Sequence, residues 1–163
     1  MRINAEPQVS AWLGGPISAE ASLAMLVRQM EHQTRWGYSV WAAELKGSGD
    51  LAGLIGLQRL ADDHVLGEGV EMVWRLDPAF WGQGLATEGA LGALEWARIH
   101  LPETIYAFTA ASNLASRSVM ERIGLRRAAE LDFPHPALAA GHPLRPHVVY
   151  RAPHGSFARP ADR

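Results

Sequence analysis

Along the chain, apolar residues spaced three and four apart alternate with short runs rich in β-branched and aromatic residues, punctuated by glycine and proline. Asn4 to Pro16 reads as the end of a helix followed by a loop, because Gly14-Gly15-Pro16 is strong punctuation. Ser18 suits an N-cap, and Glu20 stands in the first turn, where the helix dipole favours it. Leu23, Leu26, Val27 and Met30 then fall on one helical face, with Arg28, Gln29, Glu31 and His32 on the other, and Gly37 closes the helix. Val40 to Lys46 reads as a strand, Gly47-Ser48-Gly49-Asp50 as a hairpin turn, and Leu51 to Leu60 as the partner strand. Glu68 to Leu76 is a third strand, so three antiparallel strands open the sheet. Helical spacing returns with Ala86, Ala90, Ala93, Ala97, Leu91 and Leu94, a stripe small enough for a helix to lie close on a sheet. Thr104 to Ala110 is a strand, and Asn113 caps a helix whose Ala115, Val119, Met120 and Ile123 share a face, with Gly124 at C′. Leu125 to Phe133 and Val148 to Arg151 read as the last strands. Strand–helix alternation after an antiparallel start predicts a mixed α/β sheet flanked by helices.

Composition narrows the class. The chain has 163 residues, 48% apolar and 20% charged, enough for one domain with a core. We expect that domain over residues 1–152, followed by a short tail over 153–163. The net charge of −2 offers no basic field for nucleic acid. There is no cysteine, which excludes disulfides, thiolate metal sites and a cysteine nucleophile and suits a reducing cytoplasm. No apolar run approaches membrane-spanning length, and the first six residues lack the apolar core of a signal peptide. Asp62-Asp63-His64 reads as a solvated loop. His135, His142, His147 and His154 sit in proline-punctuated stretches with no acid at ligand spacing, so no metal is expected. The six tryptophans read as core or groove-lining residues, with Trp41, Trp74 and Trp96 fitting strand or helix burial.

The stretch that organises the rest is Leu76-Asp77-Pro78-Ala79-Phe80-Trp81-Gly82-Gln83-Gly84-Leu85-Ala86-Thr87-Glu88. Asp77-Pro78 stops the strand. Gly82 and Gly84 let the backbone approach something bulky, and the following helix aims its free N–H groups at the same place. Such a turn is an anion site, with phosphate the natural anion. A dinucleotide fold would want a glycine at Thr87, and a mononucleotide loop would want Gly-Lys-Ser/Thr, which is absent.

What remains resembles the pyrophosphate loop of the GNAT superfamily of acetyl-CoA-dependent N-acetyltransferases, whose signature is Arg/Gln-x-x-Gly-x-Gly/Ala. Gly84 and Ala86 match its last fixed positions, and Trp81 departs from the first. The wording Trp-Gly-Gln-Gly-Leu-Ala-Thr-Glu looks like the RimJ/RimL branch, the ribosomal-protein acetyltransferase-like group. The segment from Asn113 to Leu125 resembles that branch's Asn-x-x-Ser run ending in Lys/Arg-Leu/Ile-Gly-Phe, with Leu125 in place of Phe. The C-terminal run from Asp132 to Arg151 looks like the tail of many bacterial members. The resemblance covers about Asn4 to Arg151. It implies a mixed, mostly antiparallel sheet in which two neighbouring strands, here Glu68–Leu76 and Thr104–Ala110, splay apart around the pantetheine arm.

It also implies acetyl transfer to a primary amine (a protein N-terminus, an amino acid or a small-molecule amine) by direct attack in a ternary complex, with acetyl-CoA as cosubstrate. Backbone N–H groups of Gln83, Gly84, Leu85, Ala86 and Thr87 would hold the diphosphate. A backbone N–H freed by the splay, near Met72, Val73 and Trp74, would stabilise the thioester oxygen. The amine must lose a proton, and Glu71, beside the splay, is the candidate base through a water; its plain alternative is a solvent-facing strand glutamate. Many members protonate the leaving thiolate with a tyrosine, but that place is Met120. Ser116 is offered instead, as a hydrogen-bond donor, while Asn113 caps its helix and adds a bond to the pantetheine. Loss of the tyrosine leaves open a second reading, an acetyl-CoA-binding module without turnover. A nucleotide-binding protein is the third, and protection by ATP or NAD would mark it.

The family fold normally opens with a Glu-Arg-Leu-x-Leu-Arg type of strand and half a helix, whereas Asn4-Ala5-Glu6-Pro7-Gln8-Val9 matches the segment after them. Val40–Lys46 or its partner is then expected to expose an unpaired edge, answered by an upstream start codon or by a homodimer.

Overall fold

The computed structural model describes residues 2–153. Two short helices open it, α1 (Arg2–Ala5) and α2 (Pro7–Ser10), where a helix end and loop are expected. Pro7 separates them, because a residue without an N–H is tolerated only in a helix's first turn. The third helix, α3 (Ala19–Trp36), is capped as expected: Ser18 Oγ accepts from the Ala21 N–H at 3.1 Å, and Gly37 ends it.

The apolar stripe of α3 points the unexpected way. Leu23 is 54% exposed, Leu26 55% and Met30 62%. Of the polar face only Gln29 and His32 turn inward, where they satisfy backbone groups, while Arg28 and Glu31 stay exposed. His32 Nε2 accepts from the Arg59 N–H at 2.9 Å, which leaves the proton on Nδ1 to reach the Tyr38 carbonyl at 2.8 Å. Gln29 Oε1 accepts from the Val40 N–H and from Ser39 Oγ, both at 3.1 Å. Buried backbone groups need partners, and here helix side chains supply them.

The sheet has seven strands: β1 (Val40–Glu44), β2 (Leu51–Arg59), β3 (Val70–Leu76), β4 (Ile105–Ala110), β5 (Arg126–Arg127), β6 (Phe133–Pro134) and β7 (Pro146–Arg151). Its order is β1-β2-β3-β4-β7-β5, with β6 also on β7. β1 to β3 form the expected antiparallel meander, and β1 lies at the sheet's edge. The single continuous strand expected over Leu125–Phe133 is instead two pairs of residues, β5 and β6, around a 3₁₀ turn at Ala129–Leu131. The reason is Asp132: its Oδ1 accepts from the Val149 N–H at 3.0 Å, replacing a ladder bond, while its other oxygen pairs with Arg127.

Two helices cover one face, α4 (Leu85–His100) and α5 (Leu114–Arg122). Ala90, Ala93, Leu94 and Ala97 are buried against Leu57, Val70, Met72, Ile105 and Ala107. A Cβ at Gly89 would lie 2.5 Å from Ile55 Cδ1, so the small-residue stripe does bring α4 close to β2. Leu91, included in that stripe by spacing, stays exposed, and so does Ala115 on α5. Trp41, Trp74 and Trp96 are partly buried against the core, whereas Trp12, Trp36 and Trp81 are exposed.

The join between β3 and β4 positions the site. These strands are parallel and pair only at Val70↔Ile105 and Glu71↔Tyr106, then separate. Side chains alternate across a strand, so Val70 and Met72 enter the core beneath α4 while Glu71, Val73 and Arg75 face the side of α1 and α3. No helix among the described residues is long and apolar enough to cross a membrane.

Candidate active site

The gap between β3 and β4 opens into a cavity of about 690 Å³. At one end lies the glycine turn. Asp77 Oδ1 accepts from the Ala79 N–H at 3.0 Å and starts a 3₁₀ turn at Pro78–Phe80. Gly82 and Gly84 then take φ of +74° and +80°, a region that side chains disfavour. Gly84 is the N-cap of α4 and has no side chain to cap with, so the first-turn N–H groups of Leu85, Ala86 and Thr87 face the cavity without a protein acceptor among the caps. A Cβ at Gly84 would meet no protein atom within 4 Å. The room beside it is open to a ligand, and an anion suits it.

Trp81, the departure from the loop signature, has a local use. Its indole N–H donates to the Leu76 carbonyl at 2.9 Å and folds the turn back onto the end of β3. Gly84, Leu85, Ala86 and Thr87 all line the cavity. Gln83 does not: its side chain turns away to the Ala79 carbonyl at 3.2 Å.

The wall formed by β3 brings Glu71, Met72, Val73 and Trp74 into the cavity. The Val70 N–H bonds the Thr104 carbonyl across to β4, and the Asp77 N–H bonds Ala52 across to β2. With a period of two, the N–H groups of Met72 and Trp74 lie on the β4 side and that of Val73 on the β2 side; the Glu71↔Tyr106 pairing takes up the Met72 N–H, so that of Trp74 is the first to point into the open gap. Opposite stands α5. Asn113 Oδ1 accepts from the Ser116 N–H at 3.2 Å, its Nδ2 donates to Thr109 Oγ1 at 3.2 Å, and Ser116 lines the cavity. Met120 is buried and offers no proton.

Glu71 sits where β3 and β4 part. Gln58 Nε2 donates to it at 2.7 Å, and Gln29 Nε2 donates to Gln58 Oε1 at 2.9 Å. The carboxylate is thus held from behind by β2 and α3, while its own surface meets the cavity. Burial pushes its pKa up from 4.5 to about 7, against the Gln58 hydrogen bond and the Arg75 charge, which both pull it down. A carboxylate of that pKa is matched to proton transfer near neutrality.

The other end of the cavity was not legible in the sequence. Val9, Trp12 and Leu13 from the opening segment, Phe108 of β4, and His135, Leu138, Leu144 and His147 from the C-terminal run converge there with Arg75. Spacing could not have joined residues so far apart. His64 joins the same aromatic group, stacked on Phe108 at 5.2 Å and edge-on to Phe133 at 5.6 Å, which corrects the view of its loop as simply solvated. Burial pushes the pKa values of His64 and His147 down. Of the four C-terminal histidines, His154 lies outside the described residues. No group of three or more His, Cys, Asp or Glu among the described residues could hold a metal.

Residues 1–126 match the model of the acetyltransferase (GNAT) domain. The fold resembles an acetyltransferase from Agrobacterium tumefaciens (24% identity, 93% of this chain and 81% of that one, TM-score 0.72). It also resembles a ribosomal-protein-alanine N-acetyltransferase from Brucella melitensis (17% identity, 91% and 86% covered, TM-score 0.68). A third likeness is to a Salmonella typhimurium protein whose structure holds acetyl-CoA as its cofactor (18% identity, 93% and 81% covered, TM-score 0.67).

Proposed function

We propose, since this chain belongs to the acetyltransferase (GNAT) family and is thereby an acetyl-CoA-dependent N-acetyltransferase, that it acetylates a primary amine by direct attack within a ternary complex. The observation that carries this reading is a glycine turn and a strand splay opening into one cavity beside a carboxylate of near-neutral pKa. The uncapped first turn of α4 fits a diphosphate, and the gap between β3 and β4 fits an extended amide-bearing arm.

In the reaction the amine nitrogen attacks the thioester carbon, a C–N bond forms and the C–S bond breaks. Glu71 takes the ammonium proton through a water. The N–H of Trp74, beyond the last β3–β4 pair, donates to the oxygen as it becomes negative. As the C–S bond breaks, the nitrogen's remaining extra proton passes through water to the leaving thiolate, which Ser116 holds by a hydrogen bond, so that the amide and a free thiol result. We assign the cosubstrate to Met72, Val73, Trp74, Gly84, Leu85, Ala86, Thr87, Asn113 and Ser116, together with the backbone N–H of Gln83, whose side chain turns away to the Ala79 carbonyl. The motifs around Trp81 and Asn113 support the RimJ/RimL-like branch. Turnover with a panel of amines, followed by thiol release, tests the reading. Binding of acetyl-CoA with no turnover on any amine would return it to a module without catalysis.

Ser116→Ala is expected to lower kcat about tenfold, the lower range for a hydrogen bond to a charged group, with acetyl-CoA affinity nearly kept. Steady-state kinetics beside calorimetry reads both, and an unchanged kcat removes the hydroxyl from the mechanism.

The outer edge of β1 pairs with nothing among the described residues, and the outward stripe of α3 is apolar. Both support a homodimer in which a second copy covers them. Light scattering should give twice the mass of one chain, and a fully active monomer at micromolar concentration would defeat the idea.

A further inference from the structure

The proposed mechanism gives no role to Arg75. It lies on the same face of β3 as Glu71, four residues on, and its side chain lines the same cavity. Its position is fixed from behind: Nη1 donates to Asn4 Oδ1 at 2.6 Å, and the buried Asn4 donates to Ser22 Oγ at 2.9 Å. A guanidinium has five N–H donors in a rigid fork. Among the described residues this is its one side-chain partner, and no acid pairs with it within 4.0 Å. Its remaining donors are not among the buried atoms left without partners, and the residue lines the cavity.

A largely buried cation needs a counter-charge. Among the described residues Glu71 is the one acid lining the cavity, and burial keeps it partly protonated at neutral pH. The ligand is left to bring the rest of the negative charge. Apart from His135 and His147, the wall at this end is apolar: Val9, Trp12, Leu13, Phe108, Leu138 and Leu144. A roof crosses this end, since a Cβ at Gly14 would lie 3.2 Å from Leu138 Cδ2, joining the loop after α2 to the loop before β7.

We propose that the acceptor is a small amine carrying its own carboxylate, an amino acid with an apolar side chain, whose carboxylate binds Arg75 while its amine faces Glu71. This rests on the acetyl-transfer reading and narrows it. The charge on Arg75 binds the carboxylate, the fork orients it, and the apolar wall takes the side chain. A protein N-terminus has a peptide bond where this carboxylate would be, so it forgoes that contact.

The test compares phenylalanine with phenylalaninamide and with a tripeptide that begins with phenylalanine, in wild type, Arg75→Gln and Arg75→Lys. Wild type should favour the free acid over the amide by about 10²-fold in kcat/KM, the range for losing one partner of a buried charge pair. In Arg75→Gln that preference should collapse through the KM of the acid, with acetyl-CoA affinity kept, the two substrates being compared at a pH above the rising limb because loss of the Arg75 charge lets the Glu71 pKa rise, while Arg75→Lys keeps part of the preference. Equal use of acid and amide by wild type, a faster reaction with the tripeptide, or equal loss on both substrates in Arg75→Gln would overturn the proposal. Weakened acetyl-CoA binding in that variant would overturn it too, by moving Arg75 to the cosubstrate. If acetyl-CoA binds and no amine turns over, the acetyl-transfer reading fails by itself. Calorimetry with N-acetylphenylalanine against its amide, in the presence of CoA, then still decides the carboxylate site: tighter binding of the acid upholds it and equal binding ends it.

Discussion

Glu71→Gln is expected to lower kcat by about 10²–10⁴-fold, the usual contribution of a general base. Gln keeps the shape and can still meet Gln58, so the fold and the acetyl-CoA site should persist. The pH profile gives the sharper reading. Wild-type kcat/KM should rise with pH as Glu71 loses its proton, with an apparent pKa near 7, and this limb should vanish in the variant. Stability moves the other way. The folded pKa of Glu71, about 7, lies above its ordinary 4.5, so the fold favours the protonated form. That contribution is fully present below pH 4.5 and is lost as pH rises through about 7. The variant should therefore melt above wild type at pH 8 and lose most of that advantage at pH 5. Rates like those of wild type across the range, in the Gln variant, would remove Glu71 from the reaction.

The second large effect belongs to Gly84. With φ at +80°, any side chain there is strained, at roughly 1–2 kcal/mol. A Cβ at this position meets no protein atom, so the fold should survive the change. The same Cβ occupies the space in front of the α4 N–H groups. Gly84→Val should weaken acetyl-CoA by about 10²-fold or more, equivalent to two lost hydrogen bonds to a charged group. Circular dichroism should remain that of wild type, with a slightly lower melting temperature. Calorimetry that finds the original affinity in Gly84→Val would end the case for the turn as the diphosphate site.

These two residues also mark what the sequence makes legible. Gly84 could be read because a left-handed turn before a helix is a local demand of the backbone, visible as Gly-x-Gly beside Asp77-Pro78. Glu71 could be read once the strand and its splay were placed. The direction of α3 could not. Periodicity tells which residues share a face, and it is silent on which face turns inward. The choice is made by Gln29 and His32, which bond backbone groups of Val40, Tyr38 and Arg59 far along the chain. The broken strand around Asp132 has the same origin, a side chain replacing a ladder bond on a strand that comes fourteen residues later. Arg75 is not legible from sequence, because its partner Asn4 lies 71 residues away.

The parting of β3 from β4 has a further consequence. Through the backbone, β1–β3 and β4–β7 are two half-sheets hinged at two residue pairs. The N–H of Trp74 on the open side has no strand to meet. A pantetheine arm lying there would act as a short guest strand and close a sheet that the chain alone leaves ajar. Binding and folding then draw on the same hydrogen bonds. At a hundred times Kd a ligand specific for the folded state adds about 2.7 kcal/mol to stability, a large fraction of what a domain of this size has in reserve. The melting point of this protein should thus follow the concentration of its own cosubstrate, and a protein starved of acetyl-CoA would be the one that opens along its middle.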